Sequence, residues 1–167
     1  MEWLLLVLGF LIIIIQDFKD RAISWWTLPW IVLCGAYSAW SNELWEPWFL
    51  GFNSLFVGIQ LLGVSLYFSL KHRAWVNITQ QYLGLGDVLF FFALTPLFAP
   101  VHFCCFFVGS LLVILLGAGI YHLLIKTIKT IPLAGAMSIS WLSYQAVLYY
   151  NNSSSYNDWS LLILFYG

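Results

Sequence analysis

Charge is the scarcest commodity in this chain of 167 residues. Lys and Arg number 6, Asp and Glu 7, and together they make up 8% of the sequence. A soluble globular domain carries about a quarter charged residues, so that class is excluded, and a net charge of −1 excludes the basic surface that nucleic acid requires. Only three cysteines occur, Cys34, Cys104 and Cys105, all in apolar runs and none in CxxC spacing. That pattern excludes a zinc ribbon or a disulfide framework and reads as buried, inert thiols. No basic stretch opens the chain, where Glu2 stands instead, and no small-residue cleavage site follows the first apolar run, which disfavours a removable signal peptide.

What fills the space is hydrocarbon. Hydrophobic residues account for 62% of the chain and the mean hydropathy is +0.90. About 20 apolar residues cross a bilayer core, and six segments approach that length: residues 3–18, 23–40, 48–70, 84–99, 101–125 and 131–150. The expectation is an all-α polytopic membrane helix bundle of about six transmembrane helices, one domain over residues 1–167. Its solvent on most sides is lipid. The short stretch 159–166 cannot span and is expected at the interface, and the ten tryptophans are read chiefly as an interfacial belt.

All six basic residues fall in three alternate connections: Lys19 with Arg21, Lys71 with Arg73, and Lys126 with Lys129. The other connections hold Glu43 and Glu46, then residues 99–100, then residues 151–158, with no Lys or Arg among them. By the positive-inside rule the basic connections are cytoplasmic and both termini lie outside. This topology puts two aspartates at the same depth. Asp17 ends the first span and Asp87 opens the fourth, both on the cytoplasmic side.

A carboxylate at the edge of a membrane helix is expensive to bury, so it faces protein or water and serves a purpose. Two at one depth can form a proton-sharing pair: like charges a few ångströms apart cannot both ionise. The ionised member then activates water while the protonated one polarises a carbonyl. Asp87 sits in Gly84-Leu85-Gly86-Asp87, and the absence of side chains at Gly84 and Gly86 would let a substrate backbone approach and the chain bend into a helix. Asp87 also suits a helix N-terminus, where a carboxylate complements the free N–H groups. Asp20, one turn beyond Asp17, reads as a solvated charge; Arg73, Lys126 and Lys129 read as topology anchors. His102 and His122 read as packed or interfacial side chains, not ligands.

The run QDFKDRAI after the first span, GLGDV before the fourth and IPLAGAMS at the sixth resembles the prepilin and preflagellin peptidases, the GxGD membrane aspartyl proteases. The resemblance covers most of the chain in the right order. It implies a catalytic pair of Asp17 and Asp87 and no metal or organic cofactor. It also implies cleavage of the leader of type IV pilin-like precursors at the cytoplasmic face of a prokaryotic inner membrane. The family often has lysine two residues after the GxGD aspartate and proline after the first-motif isoleucine; here Leu89 and Ser24 stand there. The paired CxxC motifs and N-methyltransferase of larger members are absent, so the resemblance is to the compact peptidase-only form. Two other readings exist. One is a non-catalytic scaffold of a pilus or secretion system. The other is a proton-coupled transporter subunit, which would want acids spread through the depth. Presenilin-like proteases fit poorly, because they are longer and carry a PAL motif where residues 132–134 read Pro-Leu-Ala.

Overall fold

The computed structural model describes residues 2–73, 83–125, 131–159 and 161. Among these the chain is all-helical, with six α-helices: α1 (Glu2–Asp20), α2 (Thr27–Trp40), α3 (Pro47–His72), α4 (Leu85–Ala93), α5 (Pro100–Ile125) and α6 (Leu133–Tyr150). Two of them, α3 and α5, are long and apolar enough to cross a membrane. Lys126 and Lys129, and residues 162–166 of the expected interfacial stretch, lie outside the described residues.

Proline sets several helix starts. Pro47 and Pro100 each open a long helix at its first position, where the missing N–H costs nothing and the fixed φ suits the first turn. The expected fourth span of 84–99 is corrected here. It is a nine-residue helix, then a 3-10 turn at Thr95–Leu97, then an extended Phe98. Pro96 causes the break, since it cannot donate to the ladder and disfavours helix in the residue before it. At 1.5 Å per residue α4 is only about 14 Å long, roughly half a bilayer core.

The broken segment is stitched in place by Asn53 of α3. This side chain is fully buried and its Nδ2 donates to the carbonyls of Thr95 and Phe98, both at 2.9 Å. Without it the carbonyls freed by the break would be unpaired in an apolar interior, which costs 1–3 kcal/mol for each such group by order of magnitude. Gly35 of α2 lets the same segment come close: a Cβ there would sit 2.9 Å from Leu97 Cδ2 and 3.3 Å from Pro96 Cγ.

The core is aromatic. Phe10 of α1 stacks on Trp141 of α6 with centroids 4.1 Å apart, and meets Phe90 of α4 edge-on at 6.2 Å. Phe98, Phe103, Phe106 and Phe107 continue the cluster toward the other end. Helix α1 pairs most extensively with α6 and next with α2. Gly9 permits the latter approach, since a Cβ there would meet Ile31 and Trp30 at 3.2 Å.

The exterior inverts the usual arrangement. Leu70, Leu116 and Leu123 are exposed at 78%, 65% and 83%, while Asn53, His102 and Ser138 are fully buried. Contiguous apolar surface on this scale needs a partner phase, and along α3 and α5 lipid fits it. The thiols also differ from expectation: Cys34 and Cys104 are half-buried and Cys105 is exposed, because the faces of α2 and α5 that carry them point outward.

A polar clamp closes the end opposite the aspartates. The ring of His102 pairs with the Tyr144 hydroxyl through Nδ1 and with the Asn157 carbonyl through Nε2, the latter at 2.9 Å. The Asp158 carboxylate accepts from the first-turn amides of Val101 and His102 at 3.1 and 3.2 Å, using one oxygen for both. One carboxylate therefore suffices to cap α5.

Candidate active site

Asp17 belongs to the buried stripe of α1. Leu6, Phe10, Ile13 and Asp17 follow one another at intervals of four, three and four, so they share one face. The first three are essentially inaccessible and Asp17 is 6% exposed. The helix continues to Asp20, two residues past the expected span of 3–18, but by Asp20 it has passed beyond the packed bundle and that side chain is exposed. Arg21, in the left-handed region with φ 51°, turns the chain away, its N–H donating to the Asp17 carbonyl at 3.1 Å. Gln16 steadies the turn by accepting from the Ser24 amide at 2.9 Å.

Asp87 stands in the first turn of α4, whose N-cap is Gly84. Its half-buried carboxylate lies close to the backbone N–H of Gly84, where a capping box would place it, and to the backbone N–H of Ala134. The carboxylate of Asp17 accepts from the next amide, that of Gly135, at 2.6 Å. The two acids therefore meet consecutive amides at the start of α6, Asp17 by a hydrogen bond and Asp87 by proximity, and like charge on both would repel.

Helix α6 has no cap of its own. Its N-cap is Pro132, which makes no side-chain capping bond. The free N–H groups of a first turn need acceptors, and the positive end of the helix dipole favours anions there. Two carboxylates from two other helices supply both. The residues of the turn are small for a reason. A Cβ on Gly135 would lie 3.0 Å from Phe18 Cδ2 and Cε2 and 3.1 Å from Asp17 Oδ2.

The glycines expected to admit substrate are placed differently from one another. A Cβ on Gly84 would meet Asp87 Oδ2 at 3.2 Å, so the missing side chain makes room for the aspartate itself. A Cβ on Gly86 would have ordinary contacts with Ile23 at 3.6–3.9 Å. No described glycine has positive φ, and Gly84 sits at φ −61° and ψ 142°, so the bend into α4 does not draw on glycine's freedom.

Reading residue types for chemistry passed over Ala134 and Gly135, because they act through main-chain N–H groups. The available signal was an apolar run opening Ile-Pro-Leu-Ala-Gly, a helix start with small residues and no Ser, Thr, Asp or Asn to cap it. Among the described residues no group of three or more His, Cys, Asp or Glu could hold a metal ion. What the arrangement can do chemically is bring two carboxyl groups to one helix end, with one oxygen of Asp17 fixed. Comparison with known proteins found no matching family model, curated protein or solved structure.

Proposed function

We propose that the chain is a multi-pass membrane aspartyl endopeptidase with Asp17 and Asp87 as its catalytic pair. The observation that carries this reading is the doubling of carboxylates at the start of α6. Capping explains one of them, as Asp158 does alone for the two amides at the start of α5. A second acid beside the first adds repulsion in a poorly hydrated place, and a structure serving only stability would omit it. Such strain belongs to sites where two carboxyl groups share a proton.

The chemistry follows from that sharing. The ionised carboxylate takes a proton from a water molecule as its oxygen attacks the peptide carbonyl carbon, and the protonated partner gives its proton to the carbonyl oxygen. The tetrahedral diol collapses when the scissile C–N bond breaks and a proton passes to the departing amine. No metal or organic cofactor enters. The exposed Lys19, Arg21, Lys71 and Arg73 give this end of the bundle its positive charge, which favours the cytoplasmic face of a prokaryotic inner membrane. Six segments then traverse or enter the bilayer, with α4 as a half-crossing. By the resemblance of its three motifs, the substrate is a type IV pilin-like precursor whose leader is cut just before its apolar helix.

The test is cleavage in cells expressing the protein with such a precursor, read as precursor size on an immunoblot. Asp17→Asn and Asp87→Asn each abolish cleavage while the protein stays inserted, and Asp20→Asn retains it. Activity surviving in Asp17→Asn and lost in Asp20→Asn would refute the assignment. An uncut precursor with the unaltered protein, across a broad set of pilin-like substrates, would refute the peptidase reading and leave a scaffold.

A further inference from the structure

We infer that the first turn of α6 is the positioning element of the aspartate pair, with the Gly135 N–H holding Asp17 and the Ala134 N–H facing Asp87. The inference rests on the aspartyl-peptidase reading and adds a division of labour within it. Each carboxylate has two oxygens. In a working pair, one oxygen of each acid must face the other acid and the water, and the remaining oxygen must be held or the side chains would rotate apart. The structure shows such a holder for Asp17, the Gly135 N–H on Oδ2 at 2.6 Å, and sets the Ala134 N–H close to Asp87.

Three features set this apart from ordinary capping. The two amides are consecutive on a rigid helix, so their spacing is fixed by backbone geometry and cannot drift with side-chain rotamers. The acids come from different helices, α1 and α4; Phe10 on Trp141 binds α1 to α6, and Phe10 on Phe90 binds α4 to α1. And a side chain at position 135 must displace a neighbour, since a Cβ there would lie 3.0–3.1 Å from the Phe18 ring and the Asp17 oxygen. Asp17 Oδ2 thus meets its donor in a space that a methyl group would contest. Gly135 acts through Asp17 and touches no substrate; it is a positioning residue.

The mechanism makes a specific demand on Gly135→Ala. The methyl group must displace the Phe18 ring or the carboxylate. A displacement of the acid by a few tenths of an ångström to 1 Å lowers turnover on the order of 10²-fold without altering how the precursor docks. With the full chain in liposomes and a synthetic precursor (a basic leader ending in glycine, followed by an apolar helix), kcat falls by that order and KM stays within roughly twofold. Gly119→Ala, where nothing lies within 4 Å of the added carbon, leaves both constants unchanged. A kcat for Gly135→Ala within roughly twofold of the unaltered protein, or a loss confined to KM, overturns the inference. So does full recovery in Gly135→Ala with Phe18→Leu, which would make ring packing the whole effect.

A second measurement does not depend on any substrate. First-turn amides without an acceptor exchange their hydrogens quickly. In the full-length protein in micelles, the amides of Ala134 and Gly135 are protected. Asp17→Ala speeds exchange at Gly135 by roughly tenfold or more, the worth of a charge-assisted hydrogen bond, and Asp87→Ala does the same at Ala134. Unchanged exchange at both amides in both variants overturns the inference even if cleavage depends on the acids. Conversely, an uncut precursor with paired loss of protection sinks the peptidase reading and leaves the cradle standing.

Discussion

Asp17 and Gly135 lie 118 positions apart in the chain, yet the carboxylate of the first and the amide of the second are 2.6 Å apart. That contact ties the end of α1 to the start of α6, and Asp87 lies beside the neighbouring amide of Ala134. The start of α6 thus draws two acids, where the start of α5 is capped by Asp158 alone.

From this follows an expected conflict between stability and activity. Asp87→Asn keeps an oxygen for the Ala134 amide, removes the charge facing Asp17 and offers it an N–H donor. Thermal unfolding in detergent should show the variant equal to or above the unaltered protein, by about 0.5–2 kcal/mol at most, while cleavage is lost. Were both acids simple caps, Asp87→Asn and Asp17→Asn would be neutral or slightly destabilising and cleavage would be unaffected. A clear loss of stability in Asp87→Asn removes the argument from repulsion.

The orientation of the bundle is tested by labelling. In a cysteine-free background (Cys34, Cys104 and Cys105 replaced, since Cys105 is already exposed), Ser24→Cys and Ser41→Cys place exposed thiols in successive connections. Ser24 lies beside Arg21 and should react only from the cytoplasmic side. Ser41 lies beyond α2 and should react only from outside. Labelling of both from one side would mean that α2, 14 residues and roughly 21 Å long, does not cross.

Much of the site was legible because membrane chains spend charge sparingly. Asp17 and Asp87 stood out as acids beside apolar runs, and the segregation of Lys and Arg put them at one depth before any fold was known. The stripe Leu6, Phe10, Ile13, Asp17 even shows which way the first acid points. Two things escaped. One was the break after Ala93, where residues 88–98 read as a continuous apolar run; Pro96 was visible, but not that Asn53, 42 positions earlier, would satisfy the carbonyls it frees. The other was the role of Ala134 and Gly135, since a backbone amide has no letter of its own.

At the far end, Asp158 should matter for stability alone. It caps α5 through Val101 and His102 and draws the C-terminal segment over the helix start, where Ala99 N–H also donates to the Ser155 carbonyl at 2.8 Å. Asp158→Ala removes the cap and should cost about 1 kcal/mol in thermal unfolding, within the 0.5–2 kcal/mol range of N-cap losses, with kcat for the precursor unchanged. A large fall in kcat would tie the two ends of the bundle together in a way that the distance between them does not suggest.

Asn53 should couple stability to activity, because the segment it holds is the continuation of α4. Its Nδ2 bridges the Thr95 and Phe98 carbonyls across the break, fully buried. Asn53→Leu keeps the branched shape, though it is bulkier, and has no donor, so two carbonyls lose their partner in an apolar interior. At 1–3 kcal/mol for each unsatisfied group, less whatever the segment recovers by shifting, a loss of about 2–4 kcal/mol is expected. The shift itself matters more for function. If residues 95–98 move to find other donors, α4 moves with them, and Asp87 leaves the Ala134 amide at the other end of a nine-residue helix. Asn53→Leu should therefore lower both the unfolding temperature and the cleavage rate at temperatures where the protein is still folded. Asn53→Gln, which keeps the donor on a longer arm, should recover part of each. An Asn53→Leu protein that unfolds at a lower temperature but cleaves at the full rate would show that α4 holds its aspartate without help from α3.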